Sequence, residues 1–227
     1  MHRLGCLTLG IAIFLVLLLP VLYYKTVEAA LMKLGVPPDL AVIFFLAMLI
    51  GSVINIPVWK FPSRRWVKLD PLAVVGLPGF LPHLEEFRKE TVIAVNVGGC
   101  LLPAALAAYE VVRLARSERP HLPLLALSVA VGINIAVSWK LARVVPGVGI
   151  ALPGLVPPLV AAAAALLFQP EAAPQVAYVA GVLGPIIGAD ILHLPDLRSR
   201  PVAMASIGGA GTLDGIVLSG VIATLLV

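Results

Sequence analysis

Six stretches of this chain, residues 4–24, 40–59, 91–109, 120–139, 144–170 and 172–189, contain no Asp, Glu, Lys or Arg, and a seventh, 201–227, contains only Asp214. An α-helix rises ~1.5 Å per residue, so ~20 apolar residues cross a hydrocarbon core of about 30 Å. Most of the runs approach or exceed that length. They predict an all-α integral membrane protein of six to seven transmembrane helices, a single polytopic domain over 1–227, multi-pass in the cell membrane.

Composition agrees. The chain is 60% hydrophobic and 12% charged, where a soluble domain carries roughly a quarter charged residues. This excludes a soluble enzyme, a nucleic-acid binder, a disordered regulator and a disulfide-stapled module. The net charge of +4 arises from 16 basic and 12 acidic residues. Clusters such as Arg64-Arg65 and Arg113/Arg116/Arg119 sit between apolar runs, where basic residues anchor helix ends to phospholipid headgroups. The expected partners are therefore the lipid bilayer and a small solute or cation, with no nucleic acid and with homo-oligomerisation left open. Cys6 and Cys100 fall in different apolar runs, so neither a disulfide nor a cysteine metal site is indicated, and no cofactor is called for. Met1-His2-Arg3 followed by an apolar run resembles a secretory signal. A signal core has about 7–15 residues, so the longer run 4–24 reads as a retained first transmembrane helix.

Helices are expected near 4–24, 40–59, 91–112, 121–142, 157–169, 174–193 and 203–227. Two apolar segments, 71–84 and 144–159, are crowded with Pro and Gly. Proline removes a backbone donor and disfavours helix in its predecessor, and lipid offers unpaired backbone no partner. These segments are expected to be re-entrant, buried in protein or lining a cavity. They also match: Leu77-Pro78-Gly79 parallels Leu152-Pro153-Gly154, each following an Asn-to-Trp-Lys tract, Asn55 to Lys60 and Asn134 to Lys140. The match suggests an internal repeat of 50–110 and 129–190 about a symmetry axis, with Asn55 and Asn134 at equal depth and a degraded third trace at Ser206 to Asp214. Duplicated, broken helices are a layout of secondary transporters.

A carboxylate within a spanning segment costs at least ~2.5 kcal/mol on insertion scales, which makes it a functional candidate. Asp190 and Asp214 qualify. Asp214 stands among Gly208, Gly209, Gly211 and Gly215, which weaken helix and admit close approach; it is expected to face the bundle interior near the Asn96 or Asn134 segment. Asp190 and His193 share a helix face and would form a proton-handling pair, with Pro195 at the membrane boundary. The spacing Asp190-x-x-His193-x-x-Asp196 is too interrupted by Pro195 to predict a metal site. Asn55, Asn96 and Asn134 are the other strongly polar side chains in apolar runs. Asn96 precedes Gly98, Gly99 and Pro103, a pattern that interrupts a helix and frees carbonyls to bind a cation or substrate.

The tracts 96–103 (NVGGCLLP), 188–197 (GADILHLPDL) and 208–216 (GGAGTLDGI) resemble an uncharacterised family of archaeal and bacterial polytopic membrane proteins, a domain of unknown function. That resemblance implies a multi-spanning fold and no activity. Asp190 and the Gly-rich approach to Asp214 are also faintly similar to intramembrane aspartyl proteases, in which two aspartates share a proton and activate water. The likeness implies a catalytic role for Asp190 and Asp214, although Thr212 and Leu213 intervene between Gly211 and Asp214. The leading expectation is binding or transport of a small solute or ion through these aspartates; the alternatives are a protease and a non-catalytic membrane scaffold.

Overall fold

The computed structural model describes residues 2–69, 83–145, 149–198 and 204–227, over which seven α-helices are interleaved with five strands. Helices α1 (His2–Lys33) and α2 (Pro38–Gly51) pack against each other, and α1 also packs against the last helix of a bundle formed by α3 (Leu102–Ala115), α4 (His121–Leu141), α5 (Val156–Phe168), α6 (Ala173–Gly184) and α7 (Gly215–Leu225). Among the described residues, three continuous helical stretches, Val97–Ala115, His121–Leu141 and Pro170–Leu197, are long and apolar enough to cross a membrane.

Helix α6 is the core. It is buried on every side, and its neighbours α3, α4, α5 and α7 pack around it. Small residues permit this. A Cβ on Gly184 would lie 2.5 Å from Asn134 Nδ2, and one on Gly188 would lie 2.3 Å from the Ile135 carbonyl oxygen, so α4 approaches α6 nearly backbone to backbone. The outer helices invert the soluble pattern. On α4 the inner stripe is Ala126, Ala130, Asn134 and Ser138, whereas Leu122, Leu125, Val129 and Ile133 are exposed at helical spacing. Such a helix places its large apolar residues outward, as contact with lipid requires.

The expectation of an all-α fold is corrected at three places. Residues 52–59 and 91–96 do not belong to helices: β1 (Asn55–Leu69) and β2 (His83–Asn96) pair antiparallel from Asn55↔Asn96 to Leu69↔His83. Thr91, Val92, Ile93 and Val95 are β-branched, which suits a pleated surface better than a helix turn. Pro57 and Pro62 lie on β1, the edge strand, with an irregularity between Pro57 and Trp59; only an edge tolerates the missing donors. The third correction is 203–227. Its first part is β5 (Met204–Ile207), parallel to β2, giving the order β1-β2-β5. Its helix, α7, has 11 residues and is about 16 Å long, too short to span alone.

The first broken segment, 71–84, lies almost wholly outside the described residues. The second, 144–159, forms a hairpin of β3 (Arg143–Val145) and β4 (Gly149–Ala151), then a turn into α5. The proposed repeat gains no support. Asn55 to Lys60 is strand and Asn134 to Lys140 is helix, so the tracts that carried the match are different elements.

Candidate functional site

Two polar assemblies are built where the sheet meets the bundle. The first is a closed knot. Asn96 is fully buried and caps a wide helical turn, Val97–Leu101, its Oδ1 accepting the Gly99 N–H at 2.7 Å. Its Nδ2 donates to the Ser52 carbonyl (2.8 Å) and to Asn55 Oδ1 (3.1 Å), and the Ser206 hydroxyl donates to the same Asn55 oxygen (2.5 Å). Ser52 Oγ donates to the Met48 carbonyl (2.6 Å) and accepts the Thr212 N–H (3.0 Å), while the Tyr23 hydroxyl donates to the Thr212 carbonyl. The knot thus ties α1, α2, β1, β2 and β5 to the glycine-rich loop before α7.

Glycines make this closeness possible. A Cβ on Gly99 would meet the Gly208 carbonyl oxygen at 2.1 Å, and one on Gly211 would meet Ser52 Cβ at 2.4 Å. Gly208 (φ +73°) and Gly211 (φ +64°) also hold left-handed backbone, which side chains disfavour. The NVGG and GGAG tracts are therefore one packed joint.

The second assembly is a cavity of about 470 Å³ beside the knot, into which both Asp190 and Asp214 project. It is bordered by β5 and the loop Gly208–Ala210, by Gly149 and Ile150 of β4, and by Pro185, Ala189 and Leu194. The two carboxylates lie within Coulombic range of each other, and buried Cys100 lies within range of both.

Their settings differ. Asp214 is the N-cap of α7: Oδ1 accepts the Ile216 N–H (3.0 Å) and Oδ2 accepts the Ala210 N–H (3.1 Å). Asp is among the best N-cap residues, because its carboxylate satisfies an amide that the helix leaves unpaired. Asp214 is thus not in mid-helix; the glycines end β5 and the carboxylate starts α7. Asp190 closes a wide turn, Pro185–Asp190, where helix α6 loses its regular winding before tightening into Ile191–Arg198. Pro185 has no N–H to continue the ladder, and wide turns of this kind are frequent at functional sites. Among the described residues Asp190 has no hydrogen-bond or ion-pair partner, and no hydrogen bond joins it to Asp214.

His193 is buried, and its Nδ1 lies 3.1 Å from the Gly188 carbonyl oxygen instead of on Asp190. Among the described residues no hydrogen bond joins His193 to Asp190: where the winding changes from wide to tight at 190–191, the imidazole meets its own backbone at Gly188. Asn134 is buried on α4, its Nδ2 donating to the Ala180 carbonyl at 2.7 Å; its Oδ1 and the Ser138 hydroxyl are buried without partners. It braces the α4–α6 contact that supports Asp190 and does not line the cavity.

The sequence reading missed Glu110. This carboxylate is fully buried, and Arg113 Nη1 donates to both its oxygens at 3.0 and 2.9 Å and also to the Leu34 carbonyl at the end of α1. The signal was present: Glu110 falls on the inner stripe with Leu106, Ala107 and Leu114, three residues before an Arg.

The family described as "Protein of unknown function (DUF1614)" matches residues 49–226, a range that contains every residue lining the cavity. No curated protein and no solved structure matches the chain.

Proposed function

The chain belongs to the DUF1614 family, and from the site that its matched residues build we propose a multi-pass membrane protein that binds a small cationic solute or a cation in the cavity shared by Asp190 and Asp214. One observation carries this reading: Asp190 borders the cavity without a hydrogen-bond or ion-pair partner among the described residues. A carboxylate set among apolar walls is costly unless a cation or proton meets it. Asp214 supports the same site from the other wall. Its oxygens are engaged by two backbone amides, so it adds negative potential and shape while Asp190 makes the direct contact.

The same division argues against proteolysis by a carboxylate pair. That chemistry needs both carboxyl groups free to share a proton and a water, whereas Asp214 is occupied by Ala210 and Ile216. Movement of the bound solute across the bilayer is the natural extension, because the cavity sits where discontinuous helical segments meet, as carrier sites do.

The test is thermal unfolding of the detergent-solubilised protein with agmatine, sodium or potassium. A ligand at about 100 times its Kd stabilises by about 2.7 kcal/mol. At least one probe should raise the midpoint for the wild type and not for Asp190→Asn. Equal stabilisation of the variant removes Asp190 from the site. Loss of transmembrane-peptide cleavage in Asp190→Asn and Asp214→Asn alike would establish the protease instead, and an effect of both variants on stability alone would favour a scaffold.

A further inference from the structure

The cavity has a second property that a site for a bare ion does not need: the outermost strands of two separate sheets line it. Strand β5 is the last strand of the order β1-β2-β5, and all four of its residues, Met204 to Ile207, border the cavity. Strand β4 belongs to the two-stranded hairpin and borders it through Gly149 and Ile150. Resting on the reading of Asp190 as the charge-binding group, we propose that the ligand is a short extended peptide carrying a basic side chain, which adds to the free edge of β5 while its positive charge meets Asp190.

The backbone accounting supports this. One edge of β5 is paired with β2 from Val92↔Met204 to Val95↔Ile207. On the other edge, the Gly209 N–H donates to the Ser206 carbonyl at 3.1 Å, and no other hydrogen bond reaches the strand's backbone among the described residues. Unpaired edges invite another strand, and apolar surroundings make leaving them unpaired more costly. An extended peptide satisfies such an edge with its own N–H and C=O groups, while a pocket for one side chain supplies selectivity.

Size and charge fit. Four strand residues extend about 13 Å at the usual rise, which suits three or four ligand residues, and about 470 Å³ lies in the range of small-ligand sites. Among the described residues, the ionisable side chains that line the cavity, Asp190 and Asp214, are both acidic. Gly149 also borders the cavity, where a Cβ would meet nothing within 4 Å among the described residues. A basic residue flanked by small apolar ones, such as Val-Arg-Val, matches this combination of acidic and aliphatic walls.

The experiment compares four probes on the full chain in detergent by calorimetry: acetyl-Val-Arg-Val-methylamide, the same peptide with its backbone nitrogens methylated, its norleucine analogue in place of Arg, and agmatine. The first should bind at least ten-fold more tightly than each of the others, and Asp190→Asn should reduce its affinity to that of the norleucine analogue. If the N-methylated peptide or agmatine binds as tightly as the parent, strand addition is wrong and the cation site stands. If agmatine binds and no peptide does, the inference fails alone. If neither binds, the inference fails, and the cation reading fails with it only when sodium and potassium also leave the unfolding midpoint unchanged.

Discussion

Asn55 and Asn96 are register partners where the β1–β2 pair enters the bundle, and they are also joined side chain to side chain, Asn96 Nδ2 donating to Asn55 Oδ1 at 3.1 Å. Asn96 contributes more to the joint. It is fully buried and serves three groups, whereas Asn55 is only half-buried. Each buried polar group left unpaired costs about 1–3 kcal/mol. Asn96→Ala strands the Gly99 N–H and the Ser52 carbonyl and should cost about 3 kcal/mol; Asn55→Ala should cost about 1 kcal/mol. Equilibrium unfolding in mixed micelles measures both, and equal losses would show that the knot does not centre on Asn96.

Glycine substitutions should act in opposite directions at two positions. At Gly99 a methyl group would collide with the Gly208 carbonyl oxygen at 2.1 Å, so Gly99→Ala should abolish the folded joint or cost more than about 3 kcal/mol. Gly132 lies exposed on α4 with nothing within 4 Å of its added Cβ. There Gly→Ala should raise stability by about 0.5–1 kcal/mol. A stable Gly99→Ala protein would contradict the close backbone approach.

Asp214 and Asp190 should separate by phenotype. Asp214→Ala removes the N-cap of α7 and should destabilise by about 1–2 kcal/mol, and Asp214→Asn, which retains one acceptor, should lose less. Asp190→Asn removes no hydrogen bond present among the described residues, so it should leave the unfolding midpoint within about 0.5 kcal/mol of wild type while ligand binding is lost. The thermal scans proposed for the cavity read both quantities. A large stability loss for Asp190→Asn would mean that its carboxylate is structural.

The Glu110–Arg113 pair should be asymmetric. Arg113 is 39% exposed and Glu110 is not exposed at all. Removing the arginine leaves a buried carboxylate uncompensated, a loss of about 3–5 kcal/mol, and frees the end of α1 from α3. Glu110→Gln leaves an arginine that can reach solvent and should cost about 1–2 kcal/mol. Reversal of that order would place the pair at a wetter position than the packing of Leu106, Ala107 and Leu114 around it indicates.

The sequence by itself determined which segments are apolar enough to cross a membrane. Charge-free runs of helical length follow from the cost of placing charge in an apolar medium, so helix α4 was legible almost to the residue, while the expected start of α3 at 91 falls in strand β2 and the expected end of α6 at 193 falls in the wide and tight turns after Gly184. The unusual aspartates were legible too, because a carboxylate within an apolar run is visible without coordinates. What the runs could not distinguish was helix from buried strand. Thr91 to Val95 and Met204 to Ile207 are largely apolar in either form, and pairing with distant segments makes them strands: Thr91 to Val95 with Ile56 to Phe61 of β1, and Val92 to Val95 with Met204 to Ile207, more than a hundred residues away in the chain. Tertiary structure alone also decided what each carboxylate does: the glycine loop folds back so that Ala210 and Ile216 engage Asp214, while the wide turn after Pro185 brings Asp190 to the cavity without a hydrogen bond among the described residues. A hydrogen bond depends on where two segments end in space, and that is set by packing against α6, which no local pattern of residues encodes.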